Sequence, residues 1–161
     1  MTSKRIPAVL AAAILGGSLL SGTAVAEAQQ PGPTADKPHC AYHVDTKVTR
    51  CFATYAEVTE SARATDSRTS GPITATMIVA TIWADGQGSA SWSIQAGGCG
   101  YGYGNIPSGM NDKTSSITVY SPCRVNLWTN SNQSGNFEVH YPGFSWVTYN
   151  NQASSYEYYP A

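Results

Sequence analysis

Apolar positions along this chain follow three successive patterns. Ala8 to Leu20 is a short apolar run of Ala, Val, Ile, Leu and Gly, broken by Ser18, behind Lys4 and Arg5. Further on, "CFATYAEVTESARA" spaces Phe52, Tyr55, Ala56, Thr59 and Ala62 at helical intervals, with Glu57, Glu60 and Arg63 on other faces. This spacing predicts one amphipathic helix of about three turns. "TDSRTSGP" then breaks the pattern, and from Ile73 the period changes to two. "ITATMIVATIW" is rich in β-branched residues and predicts a strand. Ahead of the helix, Tyr42, Val44, Thr46 and Val48 alternate between Cys40 and Cys51 as in a small hairpin.

The first run is followed by small residues, Thr23-Ala24-Val25-Ala26-Glu27-Ala28, which offer cleavage after Ala26 or Ala28. A positive start, a short apolar middle and an A-x-A end make residues 1–28 a secretory signal peptide. The run falls short of the roughly 20 apolar residues a bilayer needs, so no membrane span is expected. "QQPGPTADKP", residues 29–38, reads as a flexible leader. The expected product is a secreted, extracellular protein.

The alternating part of the chain repeats itself. Trp83 and Trp128 each follow an apolar residue, and Trp92 and Phe137 each come nine positions later. Both halves pass through a Gly/Pro-containing loop to a polar hexapeptide, Asn111-Asp112-Lys113-Thr114-Ser115-Ser116 and Asn150-Asn151-Gln152-Ala153-Ser154-Ser155. Each ends in an alternating strand, with Ile117 and Val119 in one half and Tyr156 and Tyr158 in the other. The first copy carries six extra residues, placed in "GGCGYGYGN". Two copies of about 40 residues, each too short to bury its own strands, predict a face-to-face β-sandwich. The domain plan is an N-terminal extension with one helix over 39–72 and a sandwich over 73–161. Its motifs lie at about 77–120 and 124–161.

Charge narrows the partners. Beyond the signal peptide the chain has seven basic residues, Lys37, Lys47, Arg50, Arg63, Arg68, Lys113 and Arg124. Acidic residues number nine or ten according to the cleavage site, giving 7 − 9 = −2 or 7 − 10 = −3. Without a basic patch, nucleic acid is not an expected partner. The polar surface is instead mostly Ser, Thr, Asn, Gln and Tyr. The four cysteines Cys40, Cys51, Cys99 and Cys123 predict two disulfides in an oxidising compartment. Spacing favours Cys40–Cys51 and Cys99–Cys123, each closing a short loop. Zinc is the weaker reading, because no C-x-x-C pair and no His at ligand spacing accompany them.

These repeats resemble the βγ-crystallin superfamily, whose unit is a four-stranded Greek-key motif occurring in pairs. The second copy matches the family pattern of an aromatic, six residues and Gly: Trp128 and Gly135. The first matches at Trp83 but has Ala90 where that Gly is expected, with Gly86 and Gly88 nearby. Both hexapeptides match the N/D-N/D-x-x-S/T-S signature of the calcium-binding branch. The resemblance covers roughly residues 77 to 161 and implies a mostly β, Greek-key sandwich. Residues Cys40 to Gly71 lie outside it. They look more loosely like the N-terminal part of secreted bacterial metalloproteinase-inhibitor and killer-toxin-like proteins.

What the resemblance implies for chemistry is a pair of calcium sites shared between the motifs. Ca²⁺ takes six to eight oxygen ligands, and the hexapeptides are dense in oxygen on short side chains. Asn111, Asp112, Ser115, Asn150, Asn151 and Ser154 form the implied metal set, completed by backbone carbonyls just after the first-strand aromatics, at Ala84 and Thr129. Ser116 and Ser155 are implied to pin the folded hairpins. Only Asp112 is charged, so two weak sites are expected. A plainer use of such residues is to satisfy loop backbone as Asx and Ser turns.

Other signals carry less. His39, His43 and Asp45 lie close together, yet the stretch alternates as a strand, which reads as polar residues beside a disulfide. His140 has no G-x-S-x-G context to support a catalytic triad. "GGCGYGYG" lacks both the G-K-[ST] of a phosphate loop and a βαβ setting, and reads as a loop tied by Cys99. The aromatics, including "YEYYP", suit core and cross-strand packing better than a ligand platform. The reading is therefore a secreted, non-enzymatic calcium-binding module in which Ca²⁺ stabilises the fold. The rival is a protease inhibitor or killer-toxin-like effector that uses the loop Gly97 to Met110 against a protease or a cell surface.

Overall fold

The computed structural model describes residues 30–63 and 76–161. Residues 1–29, with the expected signal peptide, and the stretch 64–75, with the first residues of the strand expected from Ile73, lie outside the described residues. Among the described residues ten strands and one helix follow in order: β1 (His39–His43), β2 (Val48–Phe52), α1 (Tyr55–Arg63), β3 (Met77–Trp83), β4 (Ser91–Ala96), β5 (Gly102–Asn105), β6 (Ser116–Val119), β7 (Cys123–Asn130), β8 (Ser134–His140), β9 (Gly143–Trp146) and β10 (Ser155–Pro160).

They form two sheets, a six-stranded one ordered β2-β1-β4-β3-β6-β9 and a four-stranded one ordered β5-β10-β7-β8. The motifs exchange strands. The first motif, β3 to β6, keeps three strands in the larger sheet and sends its third, β5, to pair with β10. The second, β7 to β10, keeps three in the smaller sheet and sends β9 to pair with β6. Ser155 stands opposite Asn105 just as Ser116 stands opposite Trp146, so the two loans are in the same register. This is a βγ-crystallin-like Greek-key sandwich.

Alternation along the strands fills the space between the sheets. Ile82, Trp92, Ile94, Ile117 and Val119 from one sheet meet Val125, Leu127, Tyr156 and Tyr158 from the other, all buried. Trp92 is the central piece. Its ring stacks on Tyr42 at 5.5 Å and meets Tyr156 edge-on at the same distance. The glycines of "GYGYGN" are explained here, since the segment is a strand rather than only a tied loop. A Cβ on Gly102 would sit 2.4 Å from the Tyr158 ring, and one on Gly104 would sit 2.8 Å from the Tyr156 hydroxyl. Only glycine leaves room for these two phenols beneath β5.

The N-terminal hairpin joins the sandwich through its larger sheet. β1 pairs with β2 antiparallel, with Cys40 opposite Cys51, and with β4 in parallel, with Cys40 opposite Trp92. Disulfides link Cys40 to Cys51 and Cys99 to Cys123. The helix is shorter than its apolar spacing suggested. Thr54 and Glu57 form a capping box: the Glu57 carboxylate accepts from the Thr54 N–H at 2.9 Å, and the Thr54 hydroxyl accepts from the Glu57 N–H at 3.4 Å. That cap starts α1 at Tyr55 and leaves Phe52 in β2. Its inward face is Tyr55, Val58 and Ala62, while Ala56 is exposed.

The sheet surface beneath α1 is polar and fully covered. Thr81, Ser91 and Ser93 are completely buried. The Tyr55 hydroxyl bonds Thr81 at 2.9 Å and Tyr120 at 2.7 Å, and Thr81 bonds Ser93 at 2.8 Å. Gln95 donates to the Val58 carbonyl and to Ser61 on the helix, and His39 bonds Ser91. Buried polar groups stay only where they find such partners.

Two expected outcomes concern buried polar groups, the first in this layer. Tyr55→Phe keeps the ring against Trp83 but deletes a hydroxyl shared by two partners, so a loss of about 1–3 kcal/mol is expected in urea denaturation. The second concerns pH. Burial lowers the pKa of His39, and also that of His140, where the Glu138 carboxylate opposes the shift. The unfolded chain then takes up protons first, so stability is full above pH about 6.5 and falls as the pH drops toward the folded-state values. Replacing both histidines by Gln should flatten that slope in denaturation midpoints measured from neutral to mildly acidic pH.

Candidate metal centre

Each hexapeptide follows a turn that its second residue makes possible. Asp112 has φ 55° and Asn151 φ 56°, in the left-handed region that Asp and Asn tolerate better than other side-chain-bearing residues. That turn aims the main-chain N–H across to the other motif. Asp112 N–H donates to the Ala153 carbonyl at 3.2 Å, and Asn151 N–H donates to the Thr114 carbonyl at 2.9 Å. The side chains repeat the exchange. Ser154 donates to an Asp112 carboxylate oxygen, and Ser115 donates to the Asn151 amide oxygen, both at 3.3 Å.

The fifth residues tie in the hairpins. Ser115 N–H donates to the Trp83 carbonyl at 2.9 Å and Ser154 N–H to the Trp128 carbonyl at 2.8 Å. Ala84 and Thr129 come next in the chain after those two acceptors. The structure thus brings Asp112, Ser154 and the Thr129 segment together at one place, and Asn151, Ser115 and the Ala84 segment at another. The Asn111 side-chain amide donates to the second Asp112 carboxylate oxygen at 2.8 Å, and its main-chain N–H to the Pro107 carbonyl at 2.9 Å. Asn150 is exposed.

The sixth residues, Ser116 and Ser155, are completely buried. Ser116 donates to the Asp85 carbonyl and Ser155 to the Asn130 carbonyl, equivalent positions two residues after Trp83 and Trp128. Ser155 also accepts from the Gln133 N–H at 2.9 Å. The two hairpins turn differently, as the missing glycine of the first foretold. In the second, Asn132, Gln133 and Gly135 all have positive φ, whereas in the first only Gly88 does. A Cβ on Gly135 would also lie 2.5 Å from the Thr129 hydroxyl.

The donors suit a hard cation. Two oxygens 3.3 Å apart can both lie within the 2.3–2.6 Å that calcium prefers. Thr114, whose carbonyl accepts from Asn151, has a buried hydroxyl with no hydrogen-bond partner among the described residues. Among the described residues no three His, Cys, Asp or Glu side chains converge, so a softer transition-metal centre is not formed by them. His39, His43 and Asp45 separate: His39 bonds Ser91, His43 accepts from the Thr46 N–H, and Asp45 accepts from the Gly97 N–H. Glu138 was not singled out by the sequence. Its carboxylate accepts from the Thr148 and Tyr149 N–H groups and so fixes the approach to the second hexapeptide.

No family model matches the chain, and no curated protein does. Solved structures do match. A βγ-crystallin domain from Clostridium beijerinckii shares 26% identity over 50% of this chain and 97% of its own, with a TM-score of 0.42. A clostrillin double mutant in complex with nickel shares 24% identity over 50% of this chain and 95% of its own, also at 0.42. The N-terminal domain of protein S shares 16% identity over 51% of this chain and 96% of its own, at 0.41. The chain is similar to βγ-crystallin domains over about half its length.

The hairpin pins are separable from any cation. Ser155→Ala removes two bonds and Ser116→Ala removes one. In the presence of a chelator, the first should cost about 1–3 kcal/mol and the second less, as read from denaturation midpoints.

Proposed function

We propose that this protein is a secreted, non-enzymatic calcium-binding module in which two Ca²⁺ ions stabilise the sandwich. The observation that carries the reading is the reciprocal pairing of the hexapeptides, Asp112 with Ser154 and Asn151 with Ser115. Each pair takes one residue from each motif, so whatever holds a pair together also holds the two sheets together. Asp112, Ser154 and the Thr129 carbonyl form one donor set, and Asn151, Ser115 and the Ala84 carbonyl form the other. A bound ion supplies positive charge to the Asp112 and Asn151 oxygens, which the serines of the other motif reach only through long hydrogen bonds. With a single carboxylate between them, the two sites are unequal and weak, and extracellular calcium is high enough to fill weak sites. Export rests on the apolar run, its A-x-A end and the two disulfides. The inhibitor or killer-toxin alternative has no observation of its own. Within Gly97 to Met110, β5 is committed to the smaller sheet.

Calcium should raise the unfolding temperature of chelator-treated protein, because a ligand bound only by the folded state adds RT ln(1 + [L]/Kd), about 2.7 kcal/mol at a hundredfold excess. Asp112→Ala should weaken binding in calorimetry more than Asn151→Ala, since it removes the only charged donor. No heat and no shift in melting at millimolar Ca²⁺ would overturn the proposal.

A further inference from the structure

Glu138 fixes the approach to the second hexapeptide through the Thr148 and Tyr149 N–H groups. It stands opposite Leu127, and the same place in the first motif, opposite Ile82, is held by Trp92. A tryptophan has no carboxylate to offer, so the first hexapeptide receives no such clamp from that position of its own motif. What lies against its approach instead is the segment ahead of β1. A Cβ on Gly32 would sit 2.7 Å from the Gly109 Cα, and one on Gly109 would sit 2.9 Å from the Gly32 Cα. Main chain touches main chain there, an approach that glycine on both sides permits.

The segment is anchored at the end of the sandwich where the hexapeptides lie. The Pro38 carbonyl accepts from the Ser91 N–H at 2.9 Å, and Ser91 pairs with Trp83, whose carbonyl accepts from Ser115. Thr34 and Lys37 close a turn: the Thr34 N–H donates to the Lys37 carbonyl at 3.1 Å, and the Lys37 N–H to the Thr34 hydroxyl at 3.2 Å. Beyond that turn the Gly32 carbonyl oxygen lies 3.8 Å from the Cys51 sulfur of the first disulfide. Gly109, for its part, belongs to a knot built around Asp112. The Met110 and Asn111 N–H groups both donate to the Pro107 carbonyl, at 2.8 and 2.9 Å. The Lys113 ammonium donates to the Gly109 carbonyl at 3.0 Å. A movement of Gly109 is therefore passed to both chain neighbours of Asp112, Asn111 and Lys113.

We propose that Gly32 and Gly109 are positioning residues for the Asp112 donor set, with residues 30–38 acting as a strap that seats the first hexapeptide. The effect on affinity rests on the calcium reading above, whereas the effect on the loop rests on the contact alone. Neither glycine has a positive φ, so a side chain at either place meets no backbone strain of its own, only the facing segment. The two donor sets then answer to different parts of the chain. The approach to Asn151 is held by Glu138 from within the sandwich, and the approach to Asp112 by the segment that precedes it.

Calorimetry with Ca²⁺ on the disulfide-bonded mature protein tests the sites one at a time. With Asn151→Ala in place, Gly32→Val should weaken the remaining site roughly fivefold, a modest coupling between separate positions. With Asp112→Ala in place, the same change should leave the remaining site as it was. Gly109→Ala should act like Gly32→Val, and the two together no worse than one, since both break the same contact. Hydrogen exchange in chelator supplies an arm that needs no cation. There Gly32→Val should speed exchange at the Met110 and Asn111 amides and leave those of Asn151 and Gln152 as in the wild type. Should Gly32→Val fail to fold, Gly32→Ala takes its place. Equal weakening of both sites, or none at the Asp112 set, overturns the proposal, as does unchanged exchange at Met110 and Asn111. A wild type that binds no Ca²⁺ sinks the calcium reading, and the exchange arm then decides whether the strap holds the loop.

Discussion

The exchange of hydrogen bonds between the two hexapeptides is the constraint on which the sandwich depends. Each fifth residue uses its N–H to reach the first strand of its own motif, Trp83 for Ser115 and Trp128 for Ser154. Each uses its carbonyl to accept from the residue just past the strand lent by the other motif, Val147 for Ser115 and Ile106 for Ser154. The second residues, bent into the left-handed region, close the circuit through Ala153 and Thr114. Two short turns therefore set the hairpins, the lent strands and the spacing of the sheets at once. Buried backbone groups must be satisfied, and here four of these six bonds cross the boundary between the motifs.

The N-terminal segment solves a different problem. One edge strand of the crystallin-like unit, β4, has the fully buried side chains Ser91 and Ser93 on its outer surface and would otherwise present them and an open edge to water. β1 covers the edge, and α1 covers the surface. The helix buries Val58 and Ala62 there, sets Tyr55 against Trp83, and adds hydroxyl and amide bonds with the Tyr55 hydroxyl at their centre. A polar interface of this kind fixes one orientation, because its bonds are directional where dispersion is not.

Much of the sandwich was legible because its signals are local. A strand's side chains alternate whatever the strand pairs with, so Ile117, Val119, Tyr156 and Tyr158 could be assigned to buried positions from spacing alone. The hexapeptides stood out because one polar pattern recurs in register behind matching aromatics, and the left-handed second residue they share favours Asp or Asn. Strand exchange was not legible, since a period of two does not say which sheet receives a strand. The parallel pairing of β1 with β4 was hidden for the same reason. "GYGYGN" misled, because glycine ordinarily weakens a strand, and its use beneath Tyr156 and Tyr158 exists only once two distant segments meet. The helix start needed the capping box rather than the apolar spacing. For the candidate metal centre the sequence named the residues, while their reciprocal pairing depends on distances between segments some forty positions apart in the chain.

The lending of β5 and β9 also changes what counts as a half of this molecule. The boundary at residues 121–122 divides the chain into two look-alike motifs, yet no plane through the structure separates them. A cut there would leave each fragment with one strand inside the other's sheet and one serine inside the other's turn. The motifs are repeats in sequence but not modules in space. Neither completes its own sheet without a strand from the other, and the structural unit is the pair.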